Sequence, residues 1–350
     1  MNSSRFHTIT ARYPQLRLAL VGDLCLDRYL EIDPARREIS IETGLPVHNV
    51  ARVRAQPGAA GTILNNLVAL GIGEIWPVSF CGDDGEGYEL RRCLQSLPGV
   101  KLDHFIQTPE RRTFTYCKPL VMEPGQPPRE LNRLDSKNWT PTPRSVQERL
   151  ISAVRSLCDG MDGMILMDQV DQPETGVVTS MLLEAIRQVV TAKPKLFIIA
   201  DSRRSLKGFP PLCYKMNAAE LAAFLGASPP LGLDELRRQA SHLARQQGQP
   251  VFITLAEHGL LGASPEGAVE SLPCLPVRGP IDIVGAGDAV TANLAAAMAG
   301  GAALREALEL ANAAASIVVH QLGTTGTANV TQLGALIEQV GTYWPSPLRA

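Results

Sequence analysis

Five short apolar runs, each closed by a Gly, Asp or Pro turn signal, leave few architectures open to this chain. They lie at 17–22, 75–80, 163–167, 196–200 and 251–255, and stretches of helical length at 58–70, 86–97, 145–157, 175–190 and 233–246 fall between them. A strand without polar alternation is buried on both faces. Strands alternating with helices on this scale build a mostly parallel sheet with helices on both sides. The expected fold is therefore α/β and doubly wound. With 350 residues, 45% of them hydrophobic, the chain can bury one large core. No repeat or linker divides it, so residues 1–350 read as a single domain.

Two regions break the rhythm. Residues 29–54 carry strand-forming side chains interrupted by Pro34, Gly44 and Pro46, and residues 112–134 pair a β-rich segment with the turn-forming Glu123-Pro-Gly-Gln-Pro-Pro128. Both read as an antiparallel flap projecting from the main sheet. From Val330 onward the pattern gives a short helix and an irregular, Pro-containing end.

A formal charge of −2, with no Lys/Arg run, gives no electrostatic footprint for nucleic acid or an anionic membrane. The seven cysteines are scattered singly, as in a reducing compartment. The first 17 residues are polar and no apolar stretch is long enough for a bilayer, so the expected location is cytoplasmic.

The segment most informative for chemistry is Asp282-Ile-Val-Gly-Ala-Gly-Asp288, where the small turn Gly285-Ala286-Gly287 runs straight into an apolar helix. Amides at a helix start have no partner within the helix, and the dipole behind them favours an anion such as phosphate. Asp288 then has two readings. It caps the helix, or it is a base beside an anion hole, where phosphoryl transfer needs a proton acceptor for the nucleophile. No lysine follows a glycine, which removes the Walker loop, and no GxGxxG follows the first strand, which disfavours a dinucleotide site.

The Asp282–Asp288 stretch resembles the C-terminal motif of the ribokinase-like (PfkB) carbohydrate kinases, usually written DTxGAGD. Further segments resemble the family in order: Val21-Gly-Asp-Leu-Cys-Leu-Asp27 the opening strand, Pro57-Gly-Ala-Ala-Gly-Thr62 the sugar motif, Asp201-Ser-Arg203 the Asp-Pro-Lys/Arg stretch, Met216-Asn-Ala-Ala-Glu220 the NxxE motif, Thr254-Leu-Ala-Glu-His-Gly259 the ATP loop and Ala311-Asn-Ala-Ala-Ala315 the helix flanking adenosine. Within the family, Arg133-Leu-Asp135 and Leu322-Gly-Thr324 look closest to the heptose-phosphate kinases.

The resemblance implies a ribokinase-like sheet with a small β lid from about 29–54 and 112–134, and ATP-dependent phosphorylation of a sugar or sugar phosphate. It makes Asp288 the base, Gly285, Ala286 and Gly287 the anion hole, and Arg203 a neutraliser of developing charge. Asp23, Asp27, Gly58, Ala59, Thr62 and Asp135 would line the sugar site. Asn217, Glu220, Thr254, Ala256, Gly259 and Asn312 would serve the nucleotide. Glu220 would hold Mg²⁺ through water, and Asp282 with Val284 a monovalent cation such as K⁺. The lid in several members pairs with a second subunit, which implies a homodimer.

Taken alone, Asp23 and Asp201 also read as strand terminators, Glu220 as an exposed helix residue and Asn312 as packing; His258 and His320 read as structural. The family pattern has glycine where this chain has Ala59 and Ala256, asparagine at Thr62 and threonine at Ile283. These departures keep two alternatives open, a nucleoside-type kinase and a non-catalytic sugar- or nucleotide-binding regulator on the same fold.

Overall fold

The computed structural model describes residues 1–340. Its main sheet has nine strands, in the spatial order Val269–Leu272, Leu260–Ala263, Val251–Thr254, Cys213–Asn217, Phe197–Ser202, Gly163–Asp168, Arg17–Gly22, Glu74–Gly82 and Phe105–Thr108. The seven from Val251–Thr254 onward run parallel, and the first two add an antiparallel edge. All five strands and all five helices read from the pattern are present, with ends shifted by five residues at most.

The strand Arg17–Gly22 shows why the sheet is covered on both faces. Leu18 and Leu20 point into one apolar layer, built with the helices Ala60–Ala69, Ala286–Ala299 and Leu304–Val318. Ala19 and Val21 point into the other, built with Arg144–Leu157, Ser180–Ala192 and Leu233–Gln247. Side chains alternate across a strand, so an unbroken apolar run feeds both layers at once.

Four strands escape the sequence pattern: Phe105–Thr108, Cys213–Asn217 and the edge hairpin Leu260–Ala263 with Val269–Leu272. Cys213–Asn217 is masked by Lys215, a lysine only 7% exposed in the middle of an otherwise apolar strand.

The second sheet is the lid, ordered Leu134–Ser136, Thr115–Val121, Leu24–Ile32, Val50–Ala59, with Arg129–Glu130 also paired to Thr115–Val121. Its first strand starts at Leu24, directly after the main-sheet strand and earlier than the pattern placed it. One pair, Leu24–Ile32 with Thr115–Val121, is parallel. The chain between them passes through the main sheet, the long crossover a parallel pair requires. The helix expected after residue 330 is Val330–Val340; the Pro-containing end lies outside the described residues.

Candidate active site

The parallel strands deliver their carboxyl ends to one edge of the sheet, where an open α/β sheet places its ligand crevice. Asp23, Asp168, Asp201, Asn217 and Thr254 all stand at or just after those ends. The helix Ala286–Ala299 starts above this edge. Its N-cap is Gly285, at φ +84°, and no side chain caps it. Asp288 lies within the first turn, so capping is not its role. The Ala286 amide turns back to Ile283 O at 3.2 Å, and the first amide to bond along the helix is that of Ala289, onto Gly285 O at 2.9 Å. The Gly287 and Asp288 amides between them remain for a ligand.

Beneath this turn lies a charge cluster that the sequence reading did not find. Lys215 Nζ donates to Asp201 Oδ2 at 2.7 Å, and Thr291 Oγ1 lies 2.9 Å from the same oxygen and 3.0 Å from Gly287 O. Burial opposes the charge on Lys215, yet Asp201, Asp288 and Glu220 together hold its pKa above the ordinary lysine value. Asp288 is pushed up to about 7, first by desolvation and then by Asp201 and Asp27, against the pull of Lys215. Three carboxylates thus share one ammonium, but among the described residues no three acids stand together as a metal cage, so a divalent cation here would need water or phosphate for its remaining donors. A lysine inside a strand next to Asn217-x-x-Glu220 is the signal that would have found Lys215.

Between lid and sheet lies a narrow cleft lined among others by Asp23, Ala59, Tyr116, Lys137, Trp139 and Asp171. Asp23 is nearly inaccessible, and its two oxygens accept the Gln169 amide at 2.9 Å and the Val177 amide at 2.7 Å. It pins the loop that forms the cleft floor, and burial with the nearby Asp168 pushes its pKa to about 7. Asp27 stands on the lid strand against Gly58, where a Cβ would lie 2.6 Å from its carboxylate, so only glycine leaves that space free.

Asp135 faces Tyr116 in register and is bound by Arg133 at 2.6 Å. Thr62 is buried in the helix after the lid strand, its methyl against the Gly285 turn. Arg203 is 60% exposed in its side chain, at the cleft rim 3.9 Å from Asp171. Its neighbour Arg204 turns inward, to Asp168 at 2.9 Å.

Both alanines that stand where the family carries glycine fall at positive φ: Ala59 at +54° and Ala256 at +50°. With ψ −122°, Ala59 has the mirror image of ordinary extended backbone, which costs an L-residue about 1–3 kcal/mol. Ala59→Gly is therefore expected to raise the unfolding free energy by about 1 kcal/mol, after the unfolded-state entropy of glycine is subtracted. A urea midpoint that moves up at constant slope is the expected reading; an unchanged or lower midpoint overturns the strain assignment.

At the end of Cys213–Asn217, Asn217 and Glu220 form a reciprocal capping box for the helix Ala218–Leu225, at 2.8 and 2.7 Å. Burial raises the Glu220 pKa above its ordinary value. Thr254 ends its strand, and the loop after it closes at Gly259, φ +97°, where a Cβ would lie 2.0 Å from Leu272 O. Asn312 is buried and ties its helix to Pro273 O at 2.7 Å. Asp282 accepts the Val284 amide at 3.0 Å, shaping the approach to the turn. His320 receives the Arg278 amide at 2.8 Å and bonds Ser316 O at 2.6 Å, joining that approach to the helix Leu304–Val318.

Known proteins resemble this chain along almost its whole length. The model of the pfkB family carbohydrate kinases matches residues 18–331. The bifunctional protein HldE of Gluconacetobacter diazotrophicus is 30% identical over 323 residues, 92% of this chain and 63% of that protein. HldE of Rhodospirillum rubrum is 31% identical over 334 residues, 95% of this chain and 64% of that protein. The chain thus spans just under two thirds of the length of these curated relatives.

Phosphofructokinase-2 from Escherichia coli in complex with fructose-6-phosphate superposes with a TM-score of 0.68 at 17% identity, covering 93% of this chain and 99% of that one. Ribokinase from Arabidopsis thaliana, complexed with ribose and ATP, gives 0.65 at 18%, covering 92% and 99%. These two share the ribokinase-like α/β fold. A family match from the first strand of the sheet to the last described helix settles the membership: the chain belongs to the pfkB family of carbohydrate kinases.

Proposed function

We propose that this chain transfers the γ-phosphoryl group of ATP to a hydroxyl of a sugar phosphate held in the lid cleft, with a heptose phosphate as the first acceptor to test. The observation that carries the reading is the uncapped start of the helix Ala286–Ala299, with Asp288 in its first turn and the Lys215–Asp201 pair beneath it. The Gly287 and Asp288 amides hold the transferring group, and Lys215 supplies positive charge from below. Asp288 takes the acceptor's proton as the new O–P bond forms and the bond from the γ-phosphorus to the bridging oxygen of ADP breaks.

Asp27 and Asp135 accept hydrogen bonds from sugar hydroxyls on the lid side, Asp23 shapes the floor, and Arg203 stands at the rim. Thr254, Ala256, Gly259 and Asn312 border the nucleotide. Mg²⁺ held by Glu220 through water would neutralise phosphate charge, and a monovalent cation would lie at the 282–284 turn. Homodimer pairing through the lid belongs to the same reading, supported by exposed apolar side chains there, Leu134 (63%) and Val53 (43%) among them. Among the described residues no helix is long and apolar enough to cross a membrane.

The test is ADP release from ATP–Mg²⁺ across a panel of sugars, nucleosides and sugar phosphates, heptose 7-phosphate included. Release that depends on a sugar phosphate supports the reading. Release with a nucleoside alone reassigns the acceptor. Binding of ATP or sugar with no release from any acceptor turns the chain into a regulator, the alternative favoured by the strained Ala59.

A further inference from the structure

We propose that Gln56 is a positioning residue that couples the lid to the anion-binding turn, so that the lid's grip on the acceptor sets the geometry in which the phosphoryl group is received. The inference rests on the kinase reading above. Gln56 belongs to the lid strand Val50–Ala59, opposite Asp27 in register and two residues before Gly58, whose backbone lies against the Asp27 carboxylate. Its side chain leaves the lid and donates from Nε2 to Thr325 Oγ1 at 2.7 Å. Thr325 in turn flanks Gly285: a Cβ added there would stand in ordinary contact, 3.4 Å from Thr325 Cβ and 3.5 Å from Thr62 Cγ2.

Thr62 is the second arm of the same device. It lies on the helix Ala60–Ala69, which continues from the lid strand without a loop. One strand therefore bounds the anion-binding turn from two sides, through Thr62 by chain continuity and through Thr325 by the Gln56 hydrogen bond. The loop carrying Thr325 is cross-tied, Gln321 Nε2 donating to Thr327 O at 2.7 Å and Gln321 Oε1 accepting the Thr327 amide at 3.1 Å. A pull on Thr325 then moves the loop as a unit. Gln56 and Thr325 line an open groove of about 430 Å³ and belong to neither apolar layer, so removing their bond leaves both layers intact.

The experiment compares the full chain with Gln56→Ala, Thr325→Val, the double variant and Thr325→Ser, which keeps the accepting hydroxyl. With the acceptor found for the wild type, kcat is expected to fall about tenfold in either single variant, with KM for the acceptor unchanged. The double variant should be no worse than the singles, because both remove one bond, and Thr325→Ser should match the wild type. Wild-type kcat in Gln56→Ala, additive losses in the double variant, or a rise in acceptor KM alone would overturn the coupling.

Hydrogen exchange supplies a readout independent of turnover. The amides of Ala286 and Ala289, which bond Ile283 O and Gly285 O, should exchange faster in Gln56→Ala and Thr325→Val than in the wild type or Thr325→Ser, and unchanged exchange overturns the proposal. If the wild type releases no ADP with any acceptor, the kinase reading fails, while the exchange comparison still decides whether the lid holds the turn.

Discussion

Asp288→Asn is expected to lower kcat for acceptor-dependent ADP release by about 10²–10⁴-fold, the usual contribution of a general base, and to leave ATP affinity nearly intact. The amide keeps the shape of the side chain and loses only its ability to take a proton. Because the carboxyl is pushed up to about 7, the wild type should also show an acid limb. Below that pH the base is protonated and kcat/KM falls by about tenfold per unit, and above it the rate levels off. The limb should vanish from the residual rate of the variant. Since the asparagine removes one of three carboxylates crowding Lys215, its unfolding midpoint at pH 8 should be no lower than that of the wild type. Turnover close to wild type in the variant would remove Asp288 from the mechanism.

Lys215→Met should cost more stability than any other single change at the site. Lys215 and Asp201 are 7% and 5% exposed, so solvent screens their pairing little. Removing the ammonium strands the Asp201 carboxylate with Thr291 as its remaining partner, and breaking a buried pair from one side costs about 3–5 kcal/mol. It also removes the one group that pulls the Asp288 pKa down, so activity near neutral pH should be lost beyond the effect on folding. Lys215→Met combined with Asp201→Asn should recover most of the stability and none of the turnover. A single variant that unfolds at the wild-type urea concentration would show that the pair is not a buried interaction.

How much of this was legible beforehand follows residue chemistry. Unbroken apolar runs announce the central strands because burial on both faces forbids polar interruptions; the same rule hides Cys213–Asn217, whose polar interruption is the buried Lys215. The glycine-rich turn and Asp288 were legible as a motif, but whether Asp288 caps the helix depended on φ and on the absence of a side-chain cap, which need coordinates. Ala59 was visible as a departure from pattern, and its positive φ is what makes the departure matter. Arg203 and Arg204 could not be separated by sequence, since one residue decides which side chain faces Asp168 and which faces the rim. By its sequence Asp23 reads as a sugar contact or strand end; its two amide bonds to a loop some 150 residues away are invisible to local patterns.

The place of the first strand also governs how the chain comes to be folded during synthesis. Arg17–Gly22 lies in the interior of the sheet, and its flanking partner Gly163–Asp168 is made far later. At roughly 5–20 residues per second, about seven to thirty seconds separate the two on the ribosome. Throughout that interval a strand apolar on both faces has one edge unpaired, the kind of surface that recruits chaperones or neighbouring nascent chains. The helix Ser3–Thr10 waits longer still, since it docks on Val330–Val340, with Ser3 donating to Glu338 at 3.2 Å. Protease resistance of stalled nascent chains should therefore rise only once the residues past 168 have cleared the exit tunnel.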